Sequence, residues 1–307
     1  YQFISIYTIT THMFKPTRRV EGAHRDGIWC VTWHDNTIYT GSLDGTSKTW
    51  SDELSPHAVS SQQKLGITSV SICKNSSTLV TCSQDSTISF FNNEMNENGR
   101  IDAGFLEAFK TTVSPNEEIV AAGSHSGAVN LWSMTSKSKT GSLQTKNNKF
   151  VLSTAFSPDG SQLSCTGIDG TLSIFDLGSS ELVYSTDAHA LPARCVKYSH
   201  GGDLLFTASD DRHVCVFDRR SGTPINSFSH TGMVLSLDTA ADDRHFVVGC
   251  ANHLVGYWDL GMQRCVQSFD SQHNDQVWGV SFNATGDRFV SVGDDALVQL
   301  YESTSSK

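Results

Sequence analysis

The sequence predicts an all-β protein, a closed ring of seven four-stranded sheets of the kind called a β-propeller. The first observation is a repeat, since seven imperfect copies of one unit fill the chain and each copy ends on an aromatic residue. The second is that each unit contains short alternating apolar runs separated by tight turns. A period of about 40 to 45 residues with four strands is that of a propeller blade. The closing aromatics, spaced 41 to 43 residues apart, are Trp50, Phe91, Trp132, Phe175, Phe217, Trp258 and Tyr301.

The first copy, residues 22–50, shows how the strands are predicted. Residues 28–33, 37–42 and 46–50 are three runs that suit strands, and turn residues separate them. A fourth strand comes from the segment after each closing aromatic, as at residues 181–186. No helical period of 3.6 residues extends over a comparable length, so the pattern favours strands throughout.

The two chain ends are predicted to meet in one sheet. Residues 1–13 precede the first copy and are expected to be a poorly ordered extension, whereas residues 14–307 form the propeller. The last copy ends at Tyr301 with six residues left, so its blade lacks an outermost strand. The segment around residues 15–21 can supply that strand and pair its open edge.

The remaining copies follow in order. Copy 2 is the weakest, because it has no opening His and is followed by the polar stretch 92–99, predicted to be an exposed loop. Copies 3 and 4 carry Ser-Pro turns at residues 114–116 and 157–160. Copies 5 to 7 continue without interruption, and no insertion is long enough for a second domain or an active-site lid.

Certain polar residues recur at fixed distances from the closing aromatic. An Asp stands six residues before it in five copies, with Ser126 and Asn252 in the other two. A Ser or Thr stands four residues earlier again in four copies, and a His opens four copies. Turn chemistry alone would not produce such fixed offsets, so these positions share one role.

This pattern resembles the WD-repeat family over all seven copies, including GAH at 22–24, FDL at 175–177 and WDL at 258–260. The resemblance implies that the His, Ser/Thr, Asp and aromatic of a copy form a hydrogen-bonded ladder, which satisfies polar groups that blade closure buries. His, Asp and Ser/Thr are also the residue types of a hydrolase triad, but a triad is needed once and this set recurs. The ladder residues so implied are His24, Thr40, Asp44 and Trp50, His189, Thr207, Asp211 and Phe217, and His273, Ser291, Asp295 and Tyr301.

Composition and motifs exclude several function classes. The net charge of −10 argues against a basic nucleic-acid footprint, and no apolar run has the length of a membrane span. The eight cysteines stand singly within strand-like runs, so they are expected to be free thiols in a reducing compartment. Phosphate loops and zinc or nucleophile motifs are absent from the sequence, and we expect no catalytic residue, cofactor or metal.

One position in each inner strand varies in a way that suggests a binding surface. In register, its residues are Trp29, Thr68, Phe109, Leu152, Arg194, Leu235 and Trp278. In the WD-repeat family this position lies at a bulge beside the channel opening. Apolar and aromatic residues with one Arg are typical of an interaction hot spot, although a register slip of one would place them in the core. The predicted partner-binding residues are Trp29, Phe109, Phe150, Leu152, Arg194, Met233, Leu235 and Trp278.

Residues 28–33, 102–115, 149–160 and 273–295 are, more specifically, similar to the WD-repeat subunits of superkiller (Ski) complexes. This resemblance implies a non-catalytic, monomeric propeller that docks on a tetratricopeptide-repeat scaffold subunit beside an RNA helicase, in a cytoplasmic assembly that feeds mRNA to the exosome for 3′-to-5′ decay. Animal members also belong to the nuclear polymerase-associated factor complex, and fungal relatives serve in meiotic recombination. Phe109 and Met233 stand where Trp is common in this group. The alternatives are a chromatin reader that binds a histone tail, and a hydrolase.

Overall fold

The computed structural model of the chain describes residues 13–304, which form seven antiparallel sheets of four strands each. The predicted all-β propeller is therefore confirmed. The predicted extension at residues 1–13 lies outside the described residues apart from Met13. Within residues 13–304 the structure contains no helix, and so none that could cross a membrane.

The first strand, β1 (Phe14–Val20), belongs to the last blade. Blade 1 contains β2 (Ile28–His34), β3 (Thr37–Ser42), β4 (Ser47–Ser51) and β5 (Pro56–Val59). Blade 2 contains β6 (Ile67–Ile72), β7 (Leu79–Ser83), β8 (Thr87–Phe91) and β9 (Glu97–Asp102). Blade 3 contains β10 (Thr111–Val113), β11 (Ile119–Gly123), β12 (Ala128–Ser133) and β13 (Lys139–Gln144). Blade 4 contains β14 (Val151–Phe156), β15 (Gln162–Gly167), β16 (Thr171–Asp176) and β17 (Glu181–Asp187).

Blade 5 contains β18 (Ala193–Tyr198), β19 (Leu204–Ser209), β20 (His213–Asp218) and β21 (Pro224–Ser229). Blade 6 contains β22 (Val234–Thr239), β23 (His245–Cys250), β24 (Val255–Asp259) and β25 (Arg264–Phe269). Blade 7 contains β26 (Val277–Phe282), β27 (Arg288–Gly293), β28 (Val298–Ser303) and, outermost, β1. The polar stretch 92–99 is thus not all loop, because β9 begins at Glu97 after a tight turn.

The first strand of each blade lies innermost, and each contacts the next around the ring, with β26 against β2 completing it. Since each sheet covers its neighbour, the core is divided among the blade interfaces. Seven clusters of buried apolar side chains fill these interfaces, one between each pair of neighbouring blades. Blade positions are therefore fixed by packing on both faces.

The ring is closed by β1 as the sequence predicts. It pairs antiparallel with β28, from Phe14 opposite Ser303 to Val20 opposite Val298, with a bulge after Pro16. Proline suits this outermost strand, where its missing N–H breaks no ladder. Phe14 is 2% exposed, and its ring centroid lies 4.9 Å from those of two core aromatics, so the closing strand is anchored by packing as well as by hydrogen bonds.

Candidate functional site

The ladder of blade 1 is a buried hydrogen-bond network. The Nδ1–H of His24 donates to an Asp44 carboxylate oxygen at 3.1 Å, so Nε2 is the acceptor for the Thr40 hydroxyl at 2.8 Å. The indole N–H of Trp50 donates to Thr40 Oγ1 at 3.0 Å. Asp44 also accepts the backbone N–H of Arg25 at 3.0 Å, which ties the loop before β2 to the turn between β3 and β4.

The electrostatics of this ladder keep its imidazole neutral. Burial lowers the pKa of His24 to about 4, although Asp44 acts in the opposite direction. Burial raises the pKa of Asp44, but hydrogen bonds from Thr46 and from backbone N–H groups outweigh it and hold this pKa at about 2. The pair is therefore a neutral imidazole donating to a carboxylate at neutral pH.

Blades 5 and 7 repeat the arrangement. His189 lies 2.8 Å from Thr207 Oγ1 and 3.0 Å from Asp211, and His273 lies 2.7 Å from Ser291 Oγ and 3.0 Å from Asp295. At the closing position, Phe217 has no polar group, whereas the Tyr301 hydroxyl lies 3.2 Å from Ser291 Oγ. The His side chains of all three ladders are 0% exposed, so a substrate has no access to them. The geometry supports a structural role and argues against a hydrolase.

Blade 6 has an incomplete ladder. His230 and Trp258 occupy the positions of His24 and Trp50. Val248, however, stands where the ladders of blades 1, 5 and 7 have Thr or Ser, and Asn252 replaces the Asp. As a result, His230 Nε2, Trp258 Nε1 and Asn252 Oδ1 are buried without a hydrogen-bond partner among the described residues. Burial lowers the pKa of His230 to about 4, so this ring is also neutral at pH 7.

The predicted rim lies on one face of the ring, here called the channel face. In every blade, a residue in the turn between the second and third strands donates its N–H to a carbonyl of the loop before the first strand, as Leu43 does to Gly27 and Asp294 to Gln276. These loops and turns form the channel face. Six of the inner strands carry a bulge at the position occupied by Trp29 in blade 1, next to the loops of this face. Phe109 takes the equivalent place in blade 3, just before β10.

The two Trp residues of the rim form one contact across the junction of blades 1 and 7. Trp29 and Trp278 are half-buried and stacked, with ring centroids 5.0 Å apart. Both indole N–H groups donate to the same carboxylate, that of Asp294, at 3.0 and 2.8 Å. A Cβ on Gly27 would lie 2.5 Å from Asp294 Oδ1, so a glycine is needed for this close approach. The paired Trp rings are thus held in place before any partner arrives.

The structure places the other predicted rim residues in three settings. Phe109 and Phe150 are half-buried, in edge contact with centroids 5.0 Å apart. Arg194 makes a two-pronged ion pair with Asp210, with nitrogen to oxygen distances of 3.0 and 2.7 Å. Met233 is 48% exposed.

The expectation that Leu152 and Leu235 belong to an accessible rim needs correction, because each is only 3% exposed. Both occupy the bulge position but are buried there. Thr68, at the same position in blade 2, is fully buried and donates to the carbonyl of Cys82 at 3.1 Å. The accessible rim is consequently narrower than the seven bulge positions suggest.

Sequence reasoning missed part of this surface. Most exposed large apolar side chains of the described residues lie in the loops and turns of the channel face. Phe105, at 88% exposure, stands out in the loop before β10, and its apolar character within a loop was the available signal. Besides Met233, this set comprises Leu65, Phe105, Leu106, Ile168 and Leu191. Asp294 was also missed, because only the folded ring brings it to Trp29.

Nothing among residues 13–304 groups three or more His, Cys, Asp or Glu side chains in a way that could hold a metal ion. All eight cysteines are free. Burial raises the pKa of Cys165 and of Cys82 to about 12, which makes these thiols poor nucleophiles at neutral pH.

The chain is similar in sequence to known repeat proteins. The family model described as WD domain, G-beta repeat matches residues 14–51, 54–92, 137–176, 180–218 and 263–302. The chain is 35% identical to WD repeat-containing protein SL1-17 of Schistosoma mansoni over 295 residues, 91% of this chain and 96% of that protein. It is 33% identical to WD repeat-containing protein VIP3 of Arabidopsis thaliana over 59% of this chain and 63% of that protein. Meiotic recombination protein rec14 of Schizosaccharomyces pombe is 26% identical over 67% of this chain and 70% of that protein.

Proposed function

Because the chain belongs to the WD-repeat family, we propose that it is a non-catalytic scaffold whose channel face binds a segment of a partner protein. The single observation that carries this proposal is the stacked pair of Trp29 and Trp278, held by Asp294 and only half-buried. Aromatic side chains that are already ordered lose little conformational entropy on binding and bury a large area, which is why they dominate interaction hot spots.

The surroundings of the Trp pair support the same function. Exposed Met233 and Phe105 and the half-buried pair of Phe109 and Phe150 add apolar area to the channel face. An apolar centre with polar surroundings is the composition of a protein interface. A hydrolase is disfavoured by the buried ladder histidines.

A reader of basic histone tails is also less well supported. Such a reader needs carboxylates that are free to accept a lysine or arginine. At the channel opening, Asp210 is engaged by the Arg194 guanidinium and Asp294 by two indole N–H groups. To pair with Asp210 or Asp294, a basic tail would have to displace those contacts, and each displacement has a cost.

We take the partner to be the tetratricopeptide-repeat scaffold subunit of a superkiller-type complex that also contains an RNA helicase. The stretches that resemble this group include residues 28–33 and 273–295, which carry both Trp residues. The similarity to a meiotic recombination protein agrees with a group whose fungal relatives serve in recombination. The polymerase-associated factor complex is the second candidate assembly, and the protein would then work in the nucleus as well as in the cytoplasm.

The test is calorimetric titration of the recombinant scaffold subunit into the purified chain. Trp29→Ala and Trp278→Ala should each weaken binding by at least about 2 kcal/mol, the usual threshold for a hot spot. Val183→Ala, which shortens an exposed apolar side chain on the outermost strand of blade 4, should have no effect. Unchanged affinity in both Trp variants would place the docking surface elsewhere on the propeller.

A further inference from the structure

One lysine lies inside the channel just below the aromatic rim. The residue after the bulge has a small side chain or none in six blades, and these residues are Cys30, Ser69, Ser153, Cys195, Ser236 and Gly279. In blade 3 it is Lys110, whose Nζ lies 3.4 Å from the carbonyl oxygen of Arg194 in blade 5. Because blades 3 and 5 are not neighbours, the side chain must extend across the channel through the space that the small residues leave.

The ammonium group of Lys110 has few partners. Among residues 13–304 no carboxylate lies within ion-pair distance of it, whereas Arg194 is paired with Asp210 and Lys197 with Asp238. Burial lowers the pKa of Lys110, and the like charges of Arg194 and Lys197 lower it further, although the Cys30 and Cys195 thiols act in the opposite direction. An ammonium has three N–H donors, and one distant carbonyl leaves that capacity largely unused.

We propose that Lys110 recognises a carboxylate, the Asp or Glu side chain of the protein segment that docks on the channel face. This inference rests on the proposed function and gives the partner a chemical requirement. Lys110 is half-buried within the channel. It directly follows Phe109, and a segment seated on the aromatic rim would carry an acidic side chain past Lys110.

Physical considerations favour an acidic occupant at this position. Coulomb attraction is several times stronger in a protein-lined opening than at an open surface. An unpaired buried charge is costly, and an incoming carboxylate removes that cost, so binding gains from both effects. A segment that presents only Lys or Arg here would meet the unpaired positive charge of Lys110, which adds specificity through repulsion.

The probe is a phage-displayed library of random 12-residue peptides, selected on the full chain and depleted on the Trp29→Ala variant. Enriched peptides are synthesised as selected and with each acidic residue changed to its amide. Their affinities are measured for the unmodified protein, for Lys110→Met and for Lys64→Met. Lys64 is an exposed lysine in the channel-face loop before β6, so it controls for a general loss of positive charge.

We expect one acidic position per peptide whose change to the amide weakens binding about tenfold, or about 1.4 kcal/mol. The same change should have less than about a twofold effect on Lys110→Met, while Lys64→Met should behave like the unmodified protein. Lys110→Met should melt at the same or a higher temperature, because an unpaired ammonium has been removed. If Lys110 were purely structural, Lys110→Met would lower both the stability of the protein and its affinity for the peptides.

Two outcomes would overturn the inference in distinguishable ways. If Trp-dependent peptides show no acidic position, or if the amide change weakens binding equally in both backgrounds, Lys110 is not the recognition point but docking on the channel face stands. If no Trp-dependent peptide is enriched, the proposed docking site fails together with the role of Lys110.

Discussion

We expect Val248→Thr to stabilise the protein, although replacing a buried Val with Thr ordinarily does the reverse. In blade 1, one Thr hydroxyl lies 2.8 Å from the His and 3.0 Å from the Trp of the ladder. In blade 6 the equivalent atoms, His230 Nε2 and Trp258 Nε1, have no hydrogen-bond partner among the described residues. Val248 occupies the equivalent site with 0% exposure, so a hydroxyl placed there would meet both atoms.

The expected stabilisation by Val248→Thr is the difference between a gain in hydrogen bonding and a loss of apolar burial. Each new hydrogen bond contributes about 1 kcal/mol net, which gives about 2 kcal/mol for two. Replacing a buried methyl group by a hydroxyl costs about 0.8 kcal/mol of apolar burial. The difference, about 1 kcal/mol, should raise the melting temperature of this 307-residue protein by about 1.5 °C.

The assay is thermal unfolding by calorimetry, with Val247→Thr as the matched control. Val247 precedes Val248 in β23, is also 0% exposed, and packs in the apolar cluster between blades 6 and 7, away from the orphaned ladder atoms. A hydroxyl there has no partner and should cost about 1–3 kcal/mol. Equal destabilisation by the two variants would refute the account of the blade 6 ladder.

Two further predictions concern closure and acid stability. Phe14→Ala should lower the free energy of unfolding in urea by about 3–5 kcal/mol, because the Phe14 ring is buried against two aromatic rings. Lys15→Ala, at an exposed position of the same strand, should leave it unchanged. Equal effects of the two changes would contradict anchoring by packing. The second prediction is that the free energy of unfolding falls as the pH drops from about 6.5 to 4. In this range His24 and His230 take up protons in the unfolded chain but stay neutral in the folded protein, where the pKa of each is about 4. The free energy of unfolding should change by up to about 1.4 kcal/mol per pH unit for each His, and this slope should be smaller in His24→Asn. A pH-independent stability of the unmodified protein would contradict the assignment of both rings as buried and neutral.

The blades were predictable because their signals are local and repeated. A closing aromatic and a turn Asp recur within each unit, so the spacing alone counts the blades and reveals that the last one lacks a strand. The pairing of β1 with β28 then follows from the need to satisfy an open sheet edge. Because the same strand and turn pattern recurs in all seven copies, few alternative folds are compatible with the sequence.

The channel face was less predictable because its contacts join distant residues. Trp29 and Asp294 are 265 residues apart, and no sequence pattern links them. Exposure also differs at one repeat position, since Trp29 is half-buried while Leu235 at the same position is fully buried. The reach of Lys110 into the channel depends on small residues in the other blades, which single-blade reasoning does not reveal.

The closing strand has a consequence for synthesis on the ribosome. Gln299 donates its side-chain N–H to the carbonyl of Arg18 across 281 residues, so β1 leaves the ribosome long before its partner strand exists. At roughly 5–20 residues per second, the delay is on the order of 15 to 60 s. Throughout that interval the backbone of β1 and the Phe14 ring lack their native contacts and are available to chaperones. The ring cannot close through any blade synthesised earlier, so the closed propeller can form only after the final strand has been translated.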